Sequence, residues 1–215
     1  MKGTWGAMLG IAAALAAAPS RAEPVASLET LIAELRAMPG FAARFEEEKR
    51  IALLTEPLES KGSVHFVPPG RLVRRVESPH PSLLLLESEK LVFTDATGTE
   101  RFDLGANAMA RVFAHTFTDI LAGDLERLRA TYEIVFHPET KAPWLLELTP
   151  RDASLARAIS GLRLRGRGLA LVDLEVREGS GDATITRFSD VDFERRFEPA
   201  EIEALLRPPG ASKSP

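Results

Sequence analysis

FAARFEEEKRIALLTEPLESKGSVHFVPPGRLVRRVESP, residues 41–79, is the stretch whose spacing decides the fold. Phe41, Ala43 and Phe45 fall at every second position, and Val64 and Phe66 oppose Ser63, His65 and Val67 with the same period. A period of two belongs to strands with one buried face, because successive side chains leave opposite sides of the pleat. Pro68-Pro69-Gly70 then reads as a turn, since proline pre-sets φ and glycine tolerates conformations that clash for other residues. The strand at 71–77 therefore lies beside the one before it.

Working outward, the same reading places short strands at 82–87, 90–94 and 99–103. Others follow at 131–137, 143–149, 158–166, 169–177 and 182–190. Short strands separated by turn residues point to an antiparallel sheet rather than to alternating β-α units. Upstream, Leu28, Leu31, Ile32 and Leu35 make one helical stripe that Pro39-Gly40 ends. Between Asn107 and Ala122, the residues Met109, Val112, Phe113, Phe117, Ile120 and Leu121 recur at helical spacing, and Gly123 closes the stretch. A short helix is expected at 199–206. The fold class is α+β, mainly antiparallel β, with about ten strands and two or three short helices covering one face.

The N-terminus has the three parts of a secretory signal: Lys2, an alanine-rich apolar run from Ala7 to Ala18, and Ser20-Arg21-Ala22 after Pro19. The run is too short to span a hydrocarbon core of about 30 Å. Cleavage after Ala22 removes two of the 27 basic residues and none of the 31 acidic ones, so the net charge moves from −4 to −6. Residues 23–207 read as one domain and 208–215 as a flexible tail. An acidic balance does not suit a nucleic-acid binder. With no cysteine, disulfides, thiolate metal sites, cysteine nucleophiles and cysteine lipidation are excluded.

A search for chemistry finds no catalytic constellation. His65, His80, His115 and His137 are far apart and share no metal-ligand spacing. No serine stands in a nucleophile elbow, and no glycine loop resembles a phosphate cradle. Glu46-Glu47-Glu48 and Asp190-Val191-Asp192 are carboxylate clusters that solvated strands or turns explain equally well. The wide apolar stripe of the middle helix has two readings: a cap on an ordinary core, or a lid over an apolar cavity that a ligand fills.

The order of these features resembles the LolA family of periplasmic outer-membrane lipoprotein carriers, particularly its shorter LolA-like branch. The resemblance runs from about Leu28 to Phe193. It is carried by the stretch at 41–79, by WLLELTP at Trp144–Pro150 and by GDATITRFSDVDF at Gly181–Phe193. It implies an unclosed half β-barrel whose concave apolar face is covered by helices and receives acyl chains. The implied protein is a periplasmic carrier and not an enzyme. It would be a monomer without cofactor or metal, taking an acylated cargo from an inner-membrane exporter to an outer-membrane acceptor. The implied lining is Val64, Phe66, Leu72, Leu84 and Leu86 on strands, with Phe113 and Phe117 on the lid. The family places an arginine just before the proline of the first turn to hold the lid shut; Pro68 stands there in this chain, with Arg71 and Arg74 as candidate substitutes.

That departure leaves three cargoes or roles in play: lipoproteins, a fatty-acyl or polyene-type lipid, or no lipid at all in a periplasmic interaction module with a filled core. A secreted hydrolase would need a serine or paired carboxylates converging at a pocket mouth. Arg163, Arg165 and Arg167, or Arg71, Arg74 and Arg75, form either a basic rim for anionic head groups or a solvated face balanced by glutamates.

Overall fold

The computed structural model describes residues 24–106 and 108–209, without the side chains of residues 108–110 and 113. Ser27 starts helix α1 (Leu28–Ala37) by accepting a 3.1 Å hydrogen bond from the Thr30 N–H, which satisfies one of the orphan donors of the first turn. Leu31, Ile32 and Leu35 are buried, as their spacing predicts. There follow β1 (Phe41–Arg50), β2 (Leu58–Val67), β3 (Arg71–Ser78), β4 (Ser82–Glu87), β5 (Lys90–Asp95) and β6 (Gly98–Asp103). A 3-10 turn (Leu104–Ala106) leads into α2 (Ala108–Leu121) and α3 (Leu125–Thr131). The chain then forms β7 (Tyr132–His137), β8 (Trp144–Pro150), α4 (Ala153–Ala158), β9 (Ile159–Arg167), β10 (Ala170–Glu178), β11 (Ala183–Asp192) and α5 (Pro199–Leu205).

All eleven strands belong to one antiparallel sheet in the order β6-β5-β4-β3-β2-β1-β11-β10-β9-β8-β7, open at both edges. Neighbours in sequence are neighbours in the sheet except for β6 and β7, which lie at opposite edges, and β1 also pairs with β11. The strand expectations hold to within two residues from β3 onward, whereas β1 and β2 run five residues further toward their connecting loop than the apolar alternation marks. Hairpin pairing carries them through the polar run, with Lys49 opposite Leu58.

Among the described residues there are five α-helices rather than two or three. The two that the sequence reading lacks, α3 and α4, span 7 and 6 residues, too few for a helical period to stand out. Each has a cap that periodicity does not register: Asp124 accepts from the Arg127 N–H at 3.0 Å, and Asp152 from the Ser154 and Leu155 N–H groups at 2.8 and 3.1 Å.

The helices also divide between two faces. Residues α1 and α2 bury, among them Leu31, Leu35, Ile120 and Leu121, join one core with Phe41, Phe45, Val64, Phe66, Leu146 and Leu164 on the inner face of the sheet. By contrast α5 and the segment before it lie on the outer face. Arg75, whose neighbours Arg74 and Val76 face inward, donates to the Leu205 and Arg207 carbonyls at 2.8 Å each and so ties down the end of α5. Phe197 packs edge-on to His65 with ring centroids 6.1 Å apart.

Two contacts make testable demands. A Cβ on Gly166 would lie 2.3 Å from the Trp144 ring, and that ring is held by its Nε1–H donating to the Gly168 carbonyl at 2.8 Å. Gly166→Ala should therefore cost about 1–3 kcal/mol through overpacking, read as a lowered urea midpoint with the m-value unchanged; an unaltered midpoint would show that the ring yields freely. Burial under α5 pulls the His65 imidazole below its ordinary range, the Arg195 charge adding to the effect, Glu201 opposing it and Arg75 reinforcing it. The unfolded chain then binds more protons just below the unperturbed imidazole value of about 6.5. The stability held above that pH declines as pH falls through the window. Denaturant melts at pH 7.5 and 5.0 should show a larger loss for the native chain than for His65→Gln; equal losses would acquit His65.

Candidate functional site

Residues directly opposite on paired strands share a face, so the register lays out the inner face as rows. One row runs Ala43, Val64, Arg74, Leu84 and Phe93 across β1 to β5. A second runs Phe41, Phe66, Leu72, Leu86 and Leu91. All five strand residues expected to line a cleft, Val64, Phe66, Leu72, Leu84 and Leu86, therefore sit on the face that α2 covers.

Between that face and α2 lies a cavity of about 310 Å³. Val64, Leu72, Leu84 and Leu91 line it from the strands on one side of β1, and Leu174 and Phe188 from β10 and β11 on the other. Ala114 and Phe117 close it from α2, and Leu104 from the turn before it. Phe117 and Phe188 are nearly parallel, with ring centroids 6.4 Å apart and planes at 13°, so the helix stacks on the sheet at the cavity wall.

The sequence-expected residues divide here. Val64, Leu72, Leu84 and Phe117 meet at the cavity. Phe66 and Leu86 are 1% exposed and belong to the core cluster beside it, together with Leu35 and Leu121. Phe113 is carried on α2, and its side chain lies outside the described residues.

Three polar residues interrupt the apolar lining: Glu47, Arg74 and Thr186. Arg74 Nη2 donates to Glu47 Oε1 at 2.8 Å, and the Thr186 hydroxyl donates to Oε2 at 3.1 Å. Ser60 adds a longer bond of 3.4 Å to Oε1. The guanidinium carbon of Arg74 rests 4.5 Å above the centroid of Phe45, a cation–π contact. Gly62 stands opposite Phe45 and brings no side chain into that space; a Cβ there would lie 1.8 Å from the Arg75 carbonyl oxygen and 3.0 Å from the Phe45 ring. Alternation was the signal for this pair, since Glu47 follows Phe45 at i+2 and Arg74 follows Leu72 at i+2.

The other charged candidates resolve into ordinary pairs. Glu46 meets Lys61 at 3.3 Å and Glu48 meets Arg50 at 2.6 Å, so the acidic triplet does not converge as paired carboxylates. Arg163 binds Glu147 at 2.8 Å and Arg165 binds Asp173 at 2.7 Å, as a balanced sheet face does. His137 lies 3.2 Å from Glu147 and His80 is exposed in the β3–β4 turn. Among the described residues no group of three His, Asp or Glu side chains is placed to hold a metal ion.

No arginine in the first turn latches the lid among the described residues. Arg71 pairs with Glu87 on the neighbouring strand, and Arg74 turns inward to Glu47. The helix is instead held by other contacts. Tyr132 is buried, its hydroxyl 2.6 Å from that of Thr116, and burial raises the phenol above its usual range. Arg36 of α1 donates to the Gly123 carbonyl at 2.6 Å just beyond the end of α2. Gly123 has φ of +64°, and a Cβ there would lie 2.5 Å from the Ile32 carbonyl oxygen. Pro68 lines a larger groove of about 670 Å³ on the outer side of α2, whose walls mix Glu87, Asp119, Arg71 and Arg127. Burial lifts the Asp119 carboxyl above its ordinary range, with Arg127 opposing. An apolar ligand would have to desolvate these charges, which favours the inner cavity for apolar binding.

Comparisons with known proteins bear on this arrangement. No curated protein matches the chain. Among solved structures, a LolA superfamily protein from Nitrosomonas europaea is similar at 12% identity and a TM-score of 0.45, covering 81% of this chain and 94% of its own. An outer membrane lipoprotein-sorting protein domain from Vibrio parahaemolyticus has 10% identity and a TM-score of 0.44, covering 84% and 97%. LprF from Mycobacterium bovis has 10% identity and a TM-score of 0.38, covering 81% and 98%. These likenesses are too distant to carry an argument about function. The family model described as outer membrane lipoprotein carrier protein LolA-like matches residues 17–192, most of the sequence. This chain belongs to the LolA-like family.

Proposed function

We propose that this protein is a periplasmic carrier that holds an acyl chain in the cavity beneath α2 and ferries it from an inner-membrane exporter to an outer-membrane acceptor. The observation that carries the reading is the cavity itself: an apolar space of about 310 Å³ between a curled sheet and a helix, at the lower end of ligand-pocket volumes of about 300–1,000 Å³. Membership of the LolA-like family supports the same direction. In this reading residues 1–22 are a cleaved export signal, 23–207 fold as one carrier domain and 208–215 form a tail. The protein acts without cofactor and performs no catalysis.

The energetics suit a shuttle. Keeping one sixteen-carbon chain out of water is worth about 12 kcal/mol, at about 0.8 kcal/mol per CH₂. The carrier only has to offer a comparable apolar environment, because tighter binding would oppose release. The absence of a latching arginine in the first turn, together with a charged pair in the cavity wall, favours a simple lipid over a lipoprotein as cargo. A non-lipid interaction module would fill its inner face with its own side chains, and this one leaves a space.

Protein purified from membrane-containing lysate should release acyl lipids on organic extraction and take up a fluorescent fatty acid. Finding neither would sink the proposal. Leu84→Trp, which fills the cavity from β4, should weaken uptake at least tenfold while the protein remains folded, and Phe117→Asp should abolish it. Unchanged uptake in folded Phe117→Asp protein would remove α2 from the site. Mass analysis of the exported protein should give an N-terminus at Glu23.

A further inference from the structure

Glu47 and Arg74 are costly occupants of an apolar cavity wall. Their side chains are only 22% and 29% exposed, so both charges are largely withdrawn from water. Replacing such a pair by apolar residues of similar volume is often neutral or stabilising. Stability therefore does not explain why the pair interrupts the lining.

Its hydrogen bonding is asymmetric. Glu47 is well satisfied, accepting from Arg74 at 2.8 Å, Thr186 at 3.1 Å and Ser60 at 3.4 Å. Arg74 is not. A guanidinium carries five N–H donors, and Arg74 gives one of them to Glu47 while the others bond no described residue. Its position is nevertheless fixed, by Glu47 at one end and by the face of Phe45 beneath it. A positioned fork of N–H donors at the partly exposed edge of an apolar cavity matches a planar carboxylate, which accepts two parallel bonds from guanidinium.

Building on the carrier reading, we propose that Arg74 is the head-group subsite of this cavity and that the preferred ligand is a single-chain fatty acid bound as its carboxylate. The free edge of the Arg74 guanidinium takes the carboxylate, and the methylene chain runs under Phe117 and Ala114 of α2. Glu47 serves as a positioning residue: it orients the guanidinium and, as a fixed negative charge, tempers the affinity so that release is preserved. A phosphate head fits less well, because it carries more charge and a single arginine, already shared with Glu47, offers it no second cation.

The test measures binding of dodecanoate, methyl dodecanoate and dodecyl phosphate at pH 8 by calorimetry, with the intact protein delipidated beforehand. The native protein should bind dodecanoate at least tenfold more tightly than the methyl ester. Arg74→Met should collapse that ratio to near one. Glu47→Gln keeps the shape and one accepting oxygen for Arg74 but removes the opposing charge, so the ratio should rise at least threefold; a purely structural ion pair would leave it unmoved. Equal affinities for acid and ester in the native protein, or a preference that survives Arg74→Met, would overturn the assignment while leaving the carrier reading intact. Tighter binding of dodecyl phosphate than of dodecanoate would overturn the choice of a carboxylate. If no ligand binds at all, both this inference and the carrier reading fail. Should Arg74→Met not fold, the Glu47→Gln ratio decides alone.

Discussion

Residues 104–131 have to carry the chain from β6 at one edge of an eleven-stranded sheet to β7 at the other. Everything else in the architecture accommodates that constraint. Laid flat, ten strand spacings of about 4.8 Å would separate the edges by roughly 48 Å. The fourteen residues of α2 span only about 21 Å. A curl of the sheet brings the edges closer than that, and the crossing helices lie within it. The cavity records the curvature directly: side chains from β5 round to β10 touch one space of about 310 Å³. The pairing of β1 with β11 fixes the middle of the curl, because it joins the two halves of the meander edge to edge.

A helix laid across a curved sheet cannot contact it evenly. Toward one end α2 seats firmly: Ile120 and Leu121 are fully buried, and Gly123 lets α1 approach the turn that follows. Further back, Ala114 is small and Phe117 reaches down to Phe188 as a single pillar. Interiors normally pack with few voids larger than a water molecule. An apolar space of about 310 Å³ is therefore a departure from ordinary packing, and it lies where Ala114 and Phe117 of the crossing helix face the sheet.

Much of this was legible in the strand period, and the reasons are local. Alternation through Phe41, Ala43 and Phe45 and through Val64 and Phe66 assigned the inner face correctly, because one buried face leaves no freedom of register. The short helices at 125–131 and 153–158 were not legible from periodicity, being two turns or less. The placement of α5 was hidden for a different reason. It packs on the outer face over His65 and Arg75, residues whose polarity reads as solvent exposure. Nor did spacing separate Phe66 and Leu86, which are packed, from Val64 and Leu84 in the adjacent row, which border the cavity. All four alternate identically, and the row does not decide either, since Leu72 and Leu91 stand in the row of Phe66 and Leu86 and still line the cavity.

The polar residues of the inner face show what residue type alone conceals. Glu47 sits within Glu46-Glu47-Glu48, and Arg74 beside Arg75, so each looks like part of a charged surface run. The strand period divides both runs. Glu46 and Glu48 turn out to Lys61 and Arg50, and Arg75 turns out to the end of α5. Glu47 and Arg74 turn in and find one another across β2, over a glycine that leaves room for the guanidinium on the ring of Phe45. A charge run on a strand is therefore not one feature but two interleaved ones. The member that shares parity with the buried phenylalanines and leucines is the one that meets the cavity.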